Sequence, residues 1–291
     1  MHDTELLTIA SALKYRQAIL FVGAGVSMSI GLPSWTSFVD HLLKELAVAR
    51  PPSGPHATSY QAIAECYRLR HGGLESLVDW MTREWEVSPD RLRASSLHKL
   101  IVELDFPIVY TTNYDANLEK SYEVFSHPFV KIASAADMAD ARPGIPQIVK
   151  YHGDFSDPET LVLTESDYFD RLAFDAPMDI KFRGDAFAST LLFIGYSMSD
   201  LNIRFLLHRL WSIWRRTGQS RHRPPVFLFM HDPDDVQRQV LQSWGVTVLS
   251  GEGTDAEESL VKFLSALSNF MQGGAGQKKC SAPNERGNLH C

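Results

Sequence analysis

The 291 residues include only three cysteines, Cys66, Cys280 and Cys291, widely separated and without the paired spacing that a structural zinc or a dithiol redox site requires. A disulfide-stapled secreted scaffold is therefore excluded, and a reducing compartment, the cytoplasm, is expected. Positive charge is not in excess either. With 28 basic against 35 acidic residues and a formal net charge of −7, there is no whole-surface attraction for nucleic acid, and none is expected to bind directly. No apolar run approaches the length needed to cross a bilayer. The N-terminus, with His2, Asp3 and Glu5, lacks the basic start and apolar block of an export signal.

What is present is a hydrophobic content of 44%, enough for one large core or one core with a smaller helical module. The apolar run Ala18-Ile19-Leu20-Phe21-Val22 breaks abruptly into Gly23-Ala24-Gly25-Val26-Ser27. Five apolar residues without helical period read as a buried strand, and the small residues then turn the chain into a helix. A loop of this kind can present backbone N–H groups to a diphosphate, so Gly23, Ala24, Gly25 and Ser27 are candidate ligands of a phosphate group. A plain tight turn has the same appearance. Gly31-Leu32-Pro33-Ser34 ends that short helix, and Ser34 or Thr36 is placed to cap the next.

From Ser59 to Leu104 the pattern is almost wholly helical, predicting a module inserted at about 56–104 within a single domain spanning 1–271. Its aromatics Tyr67, Trp80 and Trp85 are expected in the core. His98 is expected to be a surface or core residue rather than a ligand. The Pro51–Pro55 stretch reads as a loop, and 272–291 as a disordered tail.

Three further strand ends carry polar groups. Pro107–Thr112 runs into Asn113-Tyr114-Asp115, Ile145–Tyr151 into His152-Gly153, and Ser189–Ile194 into Gly195-Tyr196-Ser197. In an open parallel sheet the carboxyl ends of strands form one rim, so Asn113, Asp115, His152, Gly195 and Ser197 are expected beside the glycine loop. Asn113, Asp115 and Ser197 could equally be helix caps. Gly153 suggests open space next to His152, the side chain that exchanges a proton most readily near neutral pH. Val226–Met230 and Val246–Leu249 supply two more strands. Beyond them, Gly251 and Gly253 allow close approach of an adenine or ribose edge. The expected fold is α/β: a Rossmann-like, open, mostly parallel sheet with helices on both faces plus the helical module.

Taken in order, Gly23-Ala24-Gly25-Val26-Ser27 with Gly31-Leu32-Pro33, Thr112-Asn113-Tyr114-Asp115, His152-Gly153 and Gly195-Tyr196-Ser197 resemble the sirtuins. They are more similar to the bacterial sirtuin-like domains of antiphage defence. The resemblance implies binding of NAD+ without a metal. Asn113 and His152 would stand at the nicotinamide–ribose bond, Asp115 near the carboxamide, and the glycine loop with Pro33, Gly195, Ser197 and Gly253 around the dinucleotide. Two departures matter: the zinc cysteines of deacetylating sirtuins are absent, and Ser34-Trp35-Thr36 stands where those enzymes have Asp-Phe-Arg. Both speak against peptide deacylation, so the resemblance implies NAD+ hydrolysis, with protein deacylation or ADP-ribosyl transfer as the enzymatic alternative and a sensor of an NAD-derived nucleotide as the non-enzymatic one. By the same resemblance the chain would act in an oligomer; the helical faces of 59–104 and the arginines near Arg215 are the surfaces expected for assembly. A HerA-type ATPase, or less readily an Argonaute-type module, would be its controlling partner.

Overall fold

The computed structural model describes residues 2–51, 58–196 and 201–273. The loop expected at 51–55 for the most part, Ser197 and the tail beyond 273 lie outside them. The elements in order are α1 (Asp3–Lys14), β1 (Ala18–Val22), α2 (Ala24–Ser29), α3 (Trp35–Glu45), α4 (Tyr60–His71), α5 (Glu75–Glu84), α6 (Pro89–Ala94) and α7 (Ser96–Glu103). Then come β2 (Ile108–Thr111), α8 (Asn117–Val124), β3 (Val130–Ile132), β4 (Gln147–Lys150), α9 (Glu165–Asp170), α10 (Pro177–Ala188) and β5 (Thr190–Ile194). The chain continues through α11 (Leu201–Arg216), β6 (Val226–Phe229), α12 (Asp235–Ser243), β7 (Val246–Leu249) and α13 (Ala256–Gly273).

The strands form one sheet in the order β3-β4-β2-β1-β5-β6-β7, every neighbouring pair parallel. Strands covered by helices on both faces read as continuous apolar runs, and β1 and β5 are buried at every position. Alternate side chains feed two cores. Leu20, Val22, Leu192 and Ile194 face α1, α7 and α13, whereas Ile19, Phe21, Tyr110 and Phe193 face α10 and α11. The Phe21 ring lies at the centre of the second face, stacked on Phe193 at 4.8 Å and Tyr110 at 5.6 Å and met edge-on by Phe182.

Packing divides the helical stretch differently from its sequence boundaries. Helices α3, α4 and α5 share a core of their own with Tyr114, Leu161 and Leu163. Leu97, Ile101 and Leu104 of α7 instead join the sheet, because α7 carries its apolar stripe against α1 and α13. The module therefore begins with α3 and lacks α7. His98 is fully buried in that helix, its Nδ1 2.9 Å from Ser95 Oγ. Helix α13 runs through Gln272 to Gly273, two residues beyond the predicted end of the ordered chain. Among the described residues no helix is long and apolar enough to cross a membrane.

Candidate active site

Strand β1 lies between β2 and β5, both later in the chain, and the sheet is built outward from it first on the β2 side and then on the β5 side. Such a switch point leaves a crevice beyond the carboxyl ends of the strands. Here it is a cavity of about 110 Å³ lined by Ala24, Ser27, Pro33, Asn113, Asp115 and His152, with Thr112, Tyr114, Gly195 and Tyr196 completing the sheet side. The helical module supplies the opposite wall through Trp35, Phe38 and Trp85.

Parallel register brings the polar residues together. Val22, Thr111 and Lys150 end neighbouring strands at the same height, so the residues after them emerge side by side. The Thr111 hydroxyl donates to Val22 O at 2.9 Å and accepts from Asn113 N at 3.0 Å, which turns the chain and points Asn113 back over β1. Asn113 Nδ2 donates to Gly23 O at 3.2 Å and to Ser27 Oγ at 3.0 Å. Ser27 Oγ in turn donates to Asp115 Oδ2 at 2.9 Å, and Asp115 Oδ1 accepts from Asn117 N at 3.0 Å. Asp115 is thus both the helix-start acceptor and the end of an Asn113–Ser27–Asp115 chain. With both amide hydrogens of Asn113 engaged, its carbonyl oxygen is the side-chain atom left to meet a ligand hydroxyl or water.

His152 is 2% exposed, its ring 5.6 Å from that of Tyr151 and 5.7 Å from that of Tyr168. Burial, and next to it the charge of Arg171, push its pKa down to about 3, so the imidazole is neutral at physiological pH. Arg171 is held in place by an ion pair with Asp179, lies 4.6 Å over the Tyr151 ring and donates to Tyr151 O at 3.2 Å. The 171–188 stretch carries no periodic signal that would have pointed to this cluster.

Three sequence expectations change. Gly23 and Gly25 do not line the cavity: their N–H groups donate to Ile194 O at 2.9 Å and Gly195 O at 3.0 Å. A Cβ on Gly23 would stand 2.5 Å from Gly195 O, so these glycines make room for the end of β5, and it is Ala24 and Ser27 that face the crevice. Gly153 does not open space beside His152, since the backbone of Thr160 and Leu161 fills it; its φ of 86° is what calls for glycine. Gly253 lies apart from the cavity, packed where a Cβ would be 2.6 Å from Ser259 N at the start of α13. Trp85 packs against the helical core as expected and also walls the cavity, as does Trp35. Tyr196 ties the crevice together, its hydroxyl donating to Val22 O at 3.1 Å and lying 2.9 Å from Thr112 Oγ1.

Residues 107–249 match the family model described as SIR2-like domain. Asn113, His152 and Gly195 fall within the matched stretch, while the loop from Ala24 to Ser27 and the aromatic wall precede it. The NAD(+) hydrolase ThsA of Enterococcus faecium is 29% identical over 218 residues, 73% of this chain and 44% of that protein. That of Bacillus cereus (strain MSX-D12) is 26% identical over 227 residues, 76% of this chain and 45% of the other. Defense-associated sirtuin 2 of Bacillus subtilis is 29% identical over 242 residues, 80% of this chain and 22% of its own length. The chain thus spans less than half the length of these relatives. A solved structure described as "Structural Basis for the Mechanism and Regulation of Sir2 Enzymes" overlays with a TM-score of 0.48 at 12% identity, covering 95% of this chain and 100% of that one. Among the described residues, no group of three His, Cys, Asp or Glu side chains is placed to hold a metal ion.

Proposed function

We propose that this chain hydrolyses NAD+ at the nicotinamide–ribose bond, releasing nicotinamide and ADP-ribose. The observation that carries the reading is the meeting of the Asn113–Ser27–Asp115 chain and a neutral, buried His152 in one crevice at the sheet's switch point. The names of the ThsA relatives support it. The aromatic wall of Trp35, Phe38 and Trp85 suits a planar ring. In this reading the nicotinamide end enters, and the rest of the dinucleotide lies across Ala24 and Gly195 at the rim.

The bond between C1′ and the pyridinium nitrogen breaks with its electron pair going to that nitrogen, which leaves as neutral nicotinamide. The ribosyl centre becomes oxocarbenium-like, and the site must orient it and deliver water. The Asn113 carbonyl holds the water or a ribose hydroxyl. The Asp115 carboxylate contacts the carboxamide and adds negative charge near the developing cation. Neutral His152 accepts the proton as the water oxygen bonds to C1′ and passes it to solvent. Trp35 and Trp85 limit access of bulk water.

The same reading extends to antiphage defence by depletion of NAD+, in the cytoplasm and within a homo-oligomer, with activity licensed by a partner because unchecked turnover would kill the host. A HerA-type ATPase is the partner favoured over an Argonaute-type module. The test is NAD+ consumption by the purified chain, alone and with the product of its neighbouring gene, for wild type, Asn113→Ala and His152→Ala. Turnover to nicotinamide and ADP-ribose that both substitutions abolish is expected. NAD+ binding without turnover under every partner condition would overturn hydrolysis in favour of a sensor.

A further inference from the structure

Two residues before His152, Lys150 ends β4 with no exposed surface. A buried ammonium needs partners, and those it has come from three places. Its Nζ donates to Asp115 O at 2.5 Å and lies 3.3 Å from Glu119 Oε1 on α8 and 3.9 Å from Asp154 Oδ2. Asp115 belongs to the corner that carries Asn113; Asp154 follows His152 and Gly153. One cation therefore spans both corners that bear the reacting side chains.

Its partners differ in how much they need it. Asp154 has Ser156 N at 2.7 Å and Lys131 at 3.4 Å as well. The Glu119 carboxylate oxygens are buried and make no hydrogen bond, so Lys150 is their counter-charge among the described residues. Replacing such a pair by neutral groups is often harmless to stability, and its best-attested benefit is fixing one geometry among several. What this pair fixes is the Asp115 carbonyl, and with it the turn from Asn113 to Asn117. We propose that Lys150 is a positioning residue, setting the separation of the Asn113–Asp115 corner from His152. This deepens the NAD+ reading and rests on it.

A second cavity, of about 540 Å³, lies beside this cluster: Asp115, Glu119 and Asp154 all line it, and it shares Trp85, Tyr114 and Asp115 with the first. It provides the route for a test. Lys150→Met strands a buried carboxylate, so the informative variant is Lys150→Met combined with Glu119→Gln, which removes both charges. A folded double variant should keep its KM for NAD+ within about threefold while kcat falls roughly tenfold to a hundredfold, the scale of a small misplacement of reacting groups. In Lys150→Ala, methylammonium entering by the second cavity should restore kcat saturably, and tetramethylammonium, which has no N–H to donate, should not. A folded double variant with kcat within twofold of wild type would overturn the proposal, as would equal rescue by both cations. If the wild-type chain turns over no NAD+ with any partner, it is the hydrolase reading that fails. Lys150 is then judged by hydrogen exchange: faster exchange over Asn113 to Asn117 in the double variant supports the role, and exchange equal to wild type refutes it.

Discussion

Replacing His152 by glutamine tests the electrostatics of the site without requiring any substrate. In the unfolded chain a histidine takes up a proton near pH 6.5; in the folded chain His152 does so only at about 3. A group whose folded pKa is depressed contributes stability that is complete above the unfolded value and is lost as pH falls toward the folded one. Through that window the unfolded state binds one more proton, and stability declines by about 1.4 kcal/mol per pH unit. His98, lowered by burial to about 4, adds a second decline of the same sign. Glu119, pushed upward by burial, works in the opposite direction at the acid end of the range, and Glu65, held down to about 2, enters only below about pH 4.5. The difference between wild type and His152→Gln isolates one histidine from these. Over the two units from about pH 6.5 to about pH 4.5 the variant should lose roughly 2 kcal/mol less than wild type. Urea unfolding followed by tryptophan fluorescence at several pH values measures it. Parallel stability curves for the two chains would refute the claim that His152 is held neutral. In turnover the same claim places the acid limb of kcat/KM well below pH 6.5, with a level profile above it.

Gly23→Ala leaves the backbone unstrained at φ −101°, but sets a methyl 2.5 Å from Gly195 O and 2.8 Å from Tyr196 Cδ2. Overpacking of this kind costs about 1–3 kcal/mol, a fall in Tm of roughly 2–12 °C at about 2–4 °C per kcal/mol for a chain approaching this size; an unchanged melt would show that the β1 and β5 ends are not tightly joined. Trp35→Ala removes the ring lying 5.5 Å from Phe38 and 6.3 Å from Tyr114 at the cavity wall. KM for NAD+ should rise several-fold with a smaller effect on kcat in steady-state assays, and a loss confined to kcat would show that the indole does not bind substrate.

Six strands are legible in the sequence because burial on both faces leaves uninterrupted apolar runs such as Ala18–Val22 and Thr190–Ile194. Strand β3 is not. It has three residues at the sheet edge, with Lys131 reaching outward to Ser156, too short to show an alternation. Helix α10 hides for a different reason: it buries Asp179, which only the distant Arg171 and Tyr151 make acceptable. Asn113, Asp115 and His152 are foreseeable because each directly follows a strand, and parallel strands deliver their next residues to one rim. Trp85 and Trp35 reach that rim by packing of the α3–α5 module, which has no counterpart in local sequence. The glycine loop illustrates the limit most clearly. Small residues signal close approach, yet the partner in this structure is the backbone of Gly195.

The strand order also dictates a sequence of events in time. Strand β1 sits at the middle of the sheet, but its partners are distant: Leu20 pairs with Val109 and with Leu192, the latter about 170 residues further along. At roughly 5–20 residues per second, synthesis from one strand to the other occupies about 10–30 s, during which a fully apolar segment waits without one of its neighbours. The loops closed by these pairings add little to the equilibrium cost, because closure entropy grows only with the logarithm of length, but such long-range pairing slows folding. Recombinant yield should therefore respond to growth temperature and to chaperones that shield Ala18–Val22 more than to substitutions on the surface.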